Sequence, residues 1–394
     1  MSNTYCVLPF IHMATDRGGS YVPCSSSIEN TGFKVGSTSS EIVWHSEYYK
    51  QLRQDLLNGV RHPNCQSCWD AEDRGFTSKR QRQNSRNEFY SEPLPSPIEV
   101  DVKTGNACNL KCMTCNQLSS SQIDKEVNTW RDKDVIIPVW LDTVGKQFKV
   151  FNPENAERIP ENLAWALRSA KVLQIHGGEP FASLITSNLL WDCIRHEYFD
   201  LCITMVTNLS SITDKLLSKI ALFPNSNIGI SYDHVDSDKW HYIRYPATYD
   251  HFTKNLTSVI EGKKFGWSIS FTISIFNAMD LDAIFAEFDS IIQSATFKSA
   301  FVNPVIEPNY FSIQYLEIEQ KQQMVADINN ALTKYTHLNQ QPDFVAVLND
   351  ICKVIYDVQD DFDSVVKERT RVLDLYDATR GTDWQKLFPY IKRY

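Results

Sequence analysis

The segment Cys108-Asn-Leu-Lys-Cys112-Met-Thr-Cys115 carries three thiols within eight residues and closely follows an apolar, β-branched run at Ile98–Lys103. Such a run predicts a buried strand, so the cysteines are expected on the loop at its carboxyl end. Parallel α/β folds place their active sites on loops of this kind. Three thiolates on one loop can hold three corners of a cubane iron–sulfur cluster and leave the fourth iron open to a ligand. A zinc knuckle is the alternative, although zinc favours two ligand pairs.

The rest of the central region alternates between strand and helix. Helical segments, among them one at about Ser119–Trp130, separate the apolar runs, and six repeats of strand then helix predict parallel βαβ units, because parallel strands need crossover connections. A doubly wound sheet and a barrel both satisfy this pattern. The five further strand candidates are Val172–His176, Cys202–Thr207, Asn227–Tyr232, Trp267–Ser274 and Phe301–Ile306, and the helical segments between them include Ile212–Leu222, Tyr249–Glu261 and Leu281–Ser294.

Flanking regions of different character predict three domains, at 1–92, 98–308 and 309–394. The first ninety residues are short apolar pieces with a hairpin expected around Asp16-Arg17-Gly18-Gly19 and a helix at about Ser46–Leu57. Three prolines between Ser91 and Pro97 mark the first boundary. After Pro308 the spacing of apolar residues predicts helices to the end, at Ile318–Lys334, Asp343–Asp357 and Phe362–Tyr376.

A long insertion interrupts the repeating pattern after its first helix. Residues 131–160 separate that helix from the second strand, far more than an ordinary connection requires. A lid or substrate loop and a surface decoration are both compatible with this length.

Composition excludes several classes of protein. The chain has 394 residues, 42% of them apolar, and a net charge of -9, so it can bury a core and has no overall positive field for nucleic acid or an anionic membrane. The basic run from Lys79 to Arg86 is interpreted as a solvated helix face. No signal core or eighteen-residue apolar run is present. Ten cysteines, seven of them clustered, then favour a reducing, cytoplasmic location and metal binding over disulfides.

Further motifs at the ends of the later strands resemble those of the radical S-adenosylmethionine (SAM) enzymes, whose signature is the three-cysteine spacing of Cys108, Cys112 and Cys115. His176-Gly177-Gly178-Glu179-Pro180 ends the second strand and is similar to the GGEP motif of that family. Thr207-Asn208 ends the third strand, and Ser231-Tyr232-Asp233 ends the fourth. The segment from His241 through Arg244 to Phe252 is similar to the one that follows the fourth strand in members with extra clusters.

The resemblance implies a role for each motif. Gly177, Gly178 and Glu179 would bind the methionine amino group of SAM, since glycines let backbone approach a ligand closely. Asn208, Ser231 and Asp233 would contact the ribose and carboxylate of the cofactor. Arg244 would meet the carboxylate through its guanidinium.

The amino-terminal cysteines form a second group. Cys6, Cys24 and the pair Cys65 and Cys68 resemble the auxiliary-cluster modules called twitch or SPASM domains. The resemblance implies a second, auxiliary 4Fe-4S cluster held by these four thiolates. A structural zinc site with four cysteine ligands is the alternative, because Cys65-x2-Cys68 is a common zinc half-site.

Taken as a whole, the resemblance implies a partial six-stranded (β/α)6 TIM-like barrel with a small N-terminal twitch-type domain and a C-terminal helical extension. Such an enzyme reductively cleaves SAM to a 5'-deoxyadenosyl radical, which abstracts a hydrogen from a peptide or protein substrate. Dehydrogenation or epimerisation of a sugar, nucleoside or alcohol is the alternative. An external one-electron donor such as flavodoxin or ferredoxin is expected, whereas membrane and nucleic acid are not. A zinc-stabilised, non-catalytic binding module is the competing hypothesis of another class.

Overall fold

A computed structural model describes residues 2–28, 30–73, 77–147, 157–262, 264–358 and 360–394 of the chain. Within these residues the chain is a mixed α/β protein whose strands are mostly parallel. The strands are β1 (His12–Thr15), β2 (Tyr21–Val22), β3 (Glu99–Lys103), β4 (Val172–His176), β5 (Cys202–Thr207), β6 (Asn227–Ser231), β7 (Gly266–Ile273) and β8 (Phe297–Pro304).

Helices separate most of the strands and make up the carboxyl-terminal region. They are α1 (Leu8–Ile11), α2 (Ser40–Trp44), α3 (Glu47–Leu57), α4 (Gln66–Asp73), α5 (Lys79–Arg86), α6 (Ser121–Asp132), α7 (Val139–Gln147), α8 (Ile159–Leu167), α9 (Leu184–Arg195), α10 (Asp214–Ile220), α11 (Ser237–Ile243), α12 (Tyr249–Gly262), α13 (Leu281–Ile291), α14 (Ile318–Lys334), α15 (Thr336–Asn339), α16 (Pro342–Val354), α17 (Phe362–Arg380) and α18 (Trp384–Leu387). None of the helices in the described ranges is both long and apolar enough to cross a membrane.

The six strands predicted for the central region are all present, as β3 to β8. The bounds of β4 and β5 are those predicted, whereas β8 begins at Phe297 rather than at Phe301. The closure of these strands into a partial barrel stays a prediction.

The chain divides into two compact units. The first comprises residues 1–107, 148–205 and 213–226. In this unit β1 pairs antiparallel with β2 and parallel with β3. The sheet continues with β4, which pairs in parallel with β3 on one side and with β5 on the other. Val100 lies opposite Met13 on one side and Leu173 on the other, and all three are buried. The hairpin predicted around Asp16 therefore extends the sheet. The domain division at 1–92 and 98–308 stays a prediction.

The second unit comprises residues 108–147, 206–212 and 227–394. Its strands β6, β7 and β8 are parallel, with Ile230 opposite Ile269 and Phe271 opposite Val302. These apolar side chains are buried, and the ring of Phe271 packs edge-on against Phe285 of α13. The predicted carboxyl-terminal helices are present as α14, α16 and α17.

Capping residues mark where α6 begins and where α17 begins and ends. Ser120 precedes α6 and accepts a hydrogen bond from the amide of Ile123 at 3.2 Å, while Asp361 caps α17 through the amide of Ser364 at 2.9 Å. Gly381 ends α17 in the left-handed conformation, with φ of 69°, where a residue without Cβ avoids strain. The start of α6 and the end of α17 are therefore defined, and both contribute to the site below.

The described part of the 131–160 insertion contains α7 and the start of α8, and residues 148–156 lie outside the described residues. Within the second unit, Arg371 of α17 donates to the carbonyl of Ile136 at 2.9 Å, and Gln117 donates to the carbonyl of Leu141 at 2.6 Å. The lid or substrate loop and the surface decoration both stay predictions for this insertion.

Candidate active site

Two serines at the start of α6 anchor the loop that carries Cys108, Cys112 and Cys115. The Ser121 hydroxyl accepts from the amide of Cys108 at 3.3 Å and donates to its carbonyl at 3.1 Å. The Ser120 hydroxyl donates to the carbonyl of Leu110 at 2.5 Å. Since Ser120 also caps α6, the amino-terminal half of the loop is tied to the helix that follows it.

The middle of the loop is held by backbone at the end of α11 and just after it. The amide of Lys111 donates to the Tyr245 carbonyl at 2.6 Å, and the amide of Met113 donates to the Ile243 carbonyl at 3.0 Å. The side chain of Met113 is buried. Between these two anchored residues lies Cys112, so its position is set by the second unit and not by the loop alone.

Nitrogen donors lie close to two of the three sulfurs. The amide of Leu110 lies 3.4 Å from Cys108 Sγ, and Nδ2 of Asn208 lies 4.0 Å from the same atom. Nη1 of Arg244 lies 3.7 Å from Cys112 Sγ. The thiol of Cys115 lies 3.7 Å from the carbonyl of Asn116. Hydrogen bonds from N–H groups to sulfur favour the thiolate, which is the form that binds metals.

Arg244 is fixed by a buried ion pair. Its Nη2 lies 2.5 Å from Oδ2 of Asp233, whose other oxygen accepts from the amide of Thr272 at 2.9 Å. Burial opposes the charge of the guanidinium, but Asp233 and Cys112 prevail and raise the pKa of Arg244 above its usual range. Burial also raises the pKa of Cys112, and Arg244 partly offsets that rise. The Nε atom of Arg244 has no hydrogen-bond partner within the described ranges.

Asn208 and Ser231 lie at strand ends, as the motif positions predict. Oδ1 of Asn208 accepts from the amide of Ser210 at 2.8 Å, which closes the turn that follows β5. Ser231 is the last residue of β6 and lies opposite Ser270 of β7. The second unit thus brings Asn208 to Cys108 and brings Arg244 with Asp233 to Cys112, whereas no contact of Ser231 with the cysteine loop is found in the part of the unit that the structure describes.

In the first unit, the turn His176-Gly177-Gly178-Glu179 lies against residues 104–107. The amide of Gly178 donates to the Gly105 carbonyl at 3.0 Å, and the amide of Glu179 donates to the Ala107 carbonyl at 2.8 Å. A Cβ on Gly177 would lie 2.5 Å from Oγ1 of Thr104 and 3.0 Å from the carbonyl oxygen of Gly105. A side chain at position 177 would therefore displace Thr104 and crowd the Gly105 carbonyl, and the turn is bonded to the residues that directly precede Cys108 in sequence.

Three of the four amino-terminal cysteines of the first unit, Cys6, Cys24 and Cys65, lie at one apolar cluster. Cys6 packs with Leu8, Leu52, Leu56 and Trp69, and Cys24 and Cys65 pack against this cluster. Burial raises the pKa of Cys65 to about 12, and the neighbouring thiols of Cys24 and Cys68 contribute. Burial and the same neighbours raise the pKa of Cys6. The four thiols predicted as ligands therefore lie within electrostatic range of one another.

All ten cysteines are free of disulfides. Of the three that stand alone in the sequence, Cys193 is buried in α9, Cys352 lies in α16, and Cys202 donates to the Asn225 carbonyl at 3.0 Å. Among the residues that the structure describes, no group of three or more His, Cys, Asp and Glu side chains is arranged to hold a metal ion.

A buried ion pair beside the cysteine loop was not predicted from the sequence. Arg380, the last residue of α17, pairs with Glu126 of α6 through two hydrogen bonds of 3.2 and 2.7 Å, and its Nη1 lies 3.2 Å from the sulfur of Met113. Lys111 donates to the same Glu126 at 3.1 Å. Arg380 and Glu126 are 254 residues apart, and no spacing or motif in the sequence connects them.

Comparison with known proteins gives structural likeness only. The similar solved structures include native anSMEcpe with bound AdoMet, at 16% identity and a TM-score of 0.42 over 62% of each chain. They also include Streptococcus suis SuiB bound to precursor peptide SuiA, at 13% identity and a TM-score of 0.40, over 77% of this chain and 64% of that one. A third is the radical S-adenosylmethionine methyltransferase TsrM from Kitasatospora setae with cobalamin and a 4Fe-4S cluster, at 12% identity and a TM-score of 0.35, over 53% and 37%.

The match therefore spans less than two thirds of the length of each of these three proteins. No protein-family model matches the chain, and no curated protein matches it. At these scores the likeness assigns no function to the chain.

Proposed function

We propose that the chain is a radical SAM enzyme that holds a 4Fe-4S cluster on Cys108, Cys112 and Cys115. The arrangement around these thiols carries the proposal. They lie on one anchored loop, and nitrogen donors from Leu110 and Arg244 lie close to two of the sulfurs. Iron–sulfur clusters are held by cysteine thiolates that accept hydrogen bonds from N–H groups. The chemistry of Cys108, Cys112 and Cys115 therefore fits a 4Fe-4S cluster.

When bound, the cluster would supply the electron that cleaves SAM and so starts hydrogen abstraction from the substrate. The chain's own residues would bind and orient SAM. We assign Gly177, Gly178 and Glu179 to the methionine amino group. Asn208, Ser231, Asp233 and Arg244 are assigned to the ribose and the carboxylate.

Two observations support this assignment. Gly177 lacks the Cβ that would displace Thr104, so the turn can lie against residues 104–107, which directly precede Cys108 in sequence. Arg244 retains one donor, its Nε–H, without a hydrogen-bond partner in the described part of the chain. A buried guanidinium with a spare N–H is suited to an anionic ligand such as a carboxylate.

A second 4Fe-4S cluster is assigned to Cys6, Cys24, Cys65 and Cys68. Support comes from the apolar cluster at which Cys6, Cys24 and Cys65 lie, and from the proximity of the thiols of Cys24, Cys65 and Cys68 to Cys6, whose pKa they help burial to raise. If all four thiolates bind the cluster, no iron is left open, so its role would be electron transfer rather than substrate binding. Zinc is the alternative occupant of the same four ligands.

The substrate that we favour is a peptide or protein, because modules with this resemblance are most often paired with peptide modification. A small-molecule dehydrogenase or epimerase reaction on a sugar, nucleoside or alcohol is the alternative. We place the reaction in the cytoplasm, with flavodoxin or ferredoxin as the external electron donor.

Anaerobic purification followed by incubation with SAM and dithionite tests the proposal. The expected protein is brown, contains about eight iron atoms in two clusters, and releases 5'-deoxyadenosine from SAM. A fully iron-loaded protein that leaves SAM intact would refute the enzyme hypothesis.

Metal analysis separates this proposal from the zinc-stabilised binding module. That module would be colourless, with about two zinc ions and no iron. The triple variant Cys108→Ala, Cys112→Ala, Cys115→Ala should lose SAM cleavage and keep about half of the iron. Loss of all iron would show that the two metal sites depend on each other.

A further inference from the structure

Arg244 contacts Cys112, one of the three cysteines proposed to hold the cluster, in addition to its proposed role in binding the carboxylate of SAM. It caps the end of α11, and its guanidinium divides its donors between two partners. Nη2 pairs with Oδ2 of Asp233 at 2.5 Å, and Nη1 lies 3.7 Å from Cys112 Sγ. The planar fork of arginine presents separate N–H donors to the two partners in a fixed geometry, whereas the ammonium of lysine is a point charge on a flexible stem.

Asp233 holds the guanidinium in this orientation. Its Oδ1 accepts from the amide of Thr272 in β7 at 2.9 Å, and its backbone carbonyl accepts from Nδ2 of Asn277 at 3.0 Å. The carboxylate is almost fully buried, with 3% of its side chain exposed. Both charges are therefore poorly screened by solvent and act on the neighbouring sulfur at close range.

We propose that Arg244 is a positioning residue that sets the reduction potential of the cluster on Cys108, Cys112 and Cys115, with Asp233 acting against it. This inference rests on the proposed function. A one-electron reduction adds negative charge to the cluster and its thiolates. A cation that donates N–H to Cys112 sulfur stabilises the reduced form, while the carboxylate of Asp233 destabilises it.

The test is a redox titration of the reconstituted full-length chain without SAM, followed by electron paramagnetic resonance. The cluster signal is assigned by its absence from the triple cysteine variant. Arg244→Met should make reduction about tenfold less favourable, which corresponds to a potential about 59 mV lower. Asp233→Asn keeps an oxygen for the amide of Thr272 and should shift the potential in the opposite direction.

Arg244→Lys is the conservative control. It keeps the positive charge without the fork, so its potential should lie between those of the native chain and Arg244→Met. If Arg244→Met loses its iron, the potentials of Arg244→Lys and Asp233→Asn are compared with that of the native chain instead. Iron content and circular dichroism show whether each of these variants is loaded and folded.

The outcomes separate this inference from the proposed function. A native chain with no cluster on the three cysteines would overturn both. A native chain that binds the cluster and cleaves SAM, with variants whose potentials are unchanged or all move in one direction, would overturn only the role of Arg244. Opposite shifts for Arg244→Met and Asp233→Asn would establish it, because a purely structural defect has no reason to change sign.

Discussion

Replacing Arg380 by methionine removes the buried cation that joins the end of α17 to the cysteine loop. The native guanidinium forms two hydrogen bonds with Glu126 and lies 4.1 Å from the ring centroid of Tyr376. Methionine has similar length and no charge. Glu126 would then stay buried, with 1% of its side chain exposed, and would retain Lys111 as its remaining ionic partner.

The expected loss of stability follows from this geometry. Breaking a buried ion pair by removing one partner costs about 3–5 kcal/mol, because the other charge stays desolvated. Lys111 lies 3.1 Å from Glu126 and is partly exposed, so it offsets part of that cost. We therefore expect about 3 kcal/mol for Arg380→Met and a smaller loss for Arg380→Met combined with Glu126→Gln, which leaves no buried charge unpaired.

Anaerobic urea unfolding of the full-length chain measures this loss, and iron content measures retention of the cluster. The matched control is Arg369→Met, which removes another buried arginine of α17 whose Nη1 donates to the carbonyl of Tyr315. Both variants should be less stable. Only Arg380→Met should lose iron from the three-cysteine site, since Arg380 reaches Met113 and Arg369 does not.

Equal iron loss in the two variants would show that α17 affects the site only through general stability. A loss below about 1 kcal/mol for Arg380→Met would show that Lys111 alone satisfies Glu126 and would refute the reasoning from the buried pair.

Three further outcomes are expected. Gly177→Ala should cost about 1–3 kcal/mol and weaken SAM binding measured by calorimetry, because its Cβ would clash, whereas Gly262→Ala, with open space around it, should do neither. Cys6→Ser should remove about four iron atoms by metal analysis, and Cys193→Ser should remove none. Burial lowers the pKa of His12 to about 4, so the unfolded chain binds a proton more readily than the folded chain as the pH falls below 6.5. The free energy of unfolding should therefore decrease by about 3 kcal/mol between pH 6.5 and pH 4. In urea unfolding, His12→Asn should show a smaller decrease over the same pH range.

Local pattern sufficed to predict the six central strands and the helices α3, α6, α10, α12, α13, α14, α16 and α17. Short β-branched runs between helical segments placed β3 to β8, because such residues favour strands even where a polar side chain such as Asp101 interrupts the run. Asn208 and Asp233 were singled out by the resemblance of their motifs to those of radical SAM enzymes. Asn208 directly follows β5, and Asp233 follows β6 with Tyr232 between.

The features that were not predicted depend on pairs far apart in sequence. The strand β1 has four residues, and its pairing with β3, as of Met13 with Val100, crosses more than eighty residues. Nothing in so short a run indicates which strand it joins. The contact between Arg244 and Cys112 was not predicted for a similar reason. The sequence indicates that a guanidinium lies near the site, but it does not show which partners the N–H groups of that guanidinium contact.

The cysteine loop illustrates why such long-range contacts are needed. A loop of eight residues with few buried side chains cannot fix three thiols by its own packing, and loops carry function when a rigid scaffold positions them. Here the scaffold comes from three places: the serines at the start of α6, the backbone at the end of α11 and just after it, and Arg380 at the end of α17. The carboxyl-terminal helices therefore belong to the site, because Arg380 of α17 pairs with the buried carboxylate of Glu126 alongside Lys111.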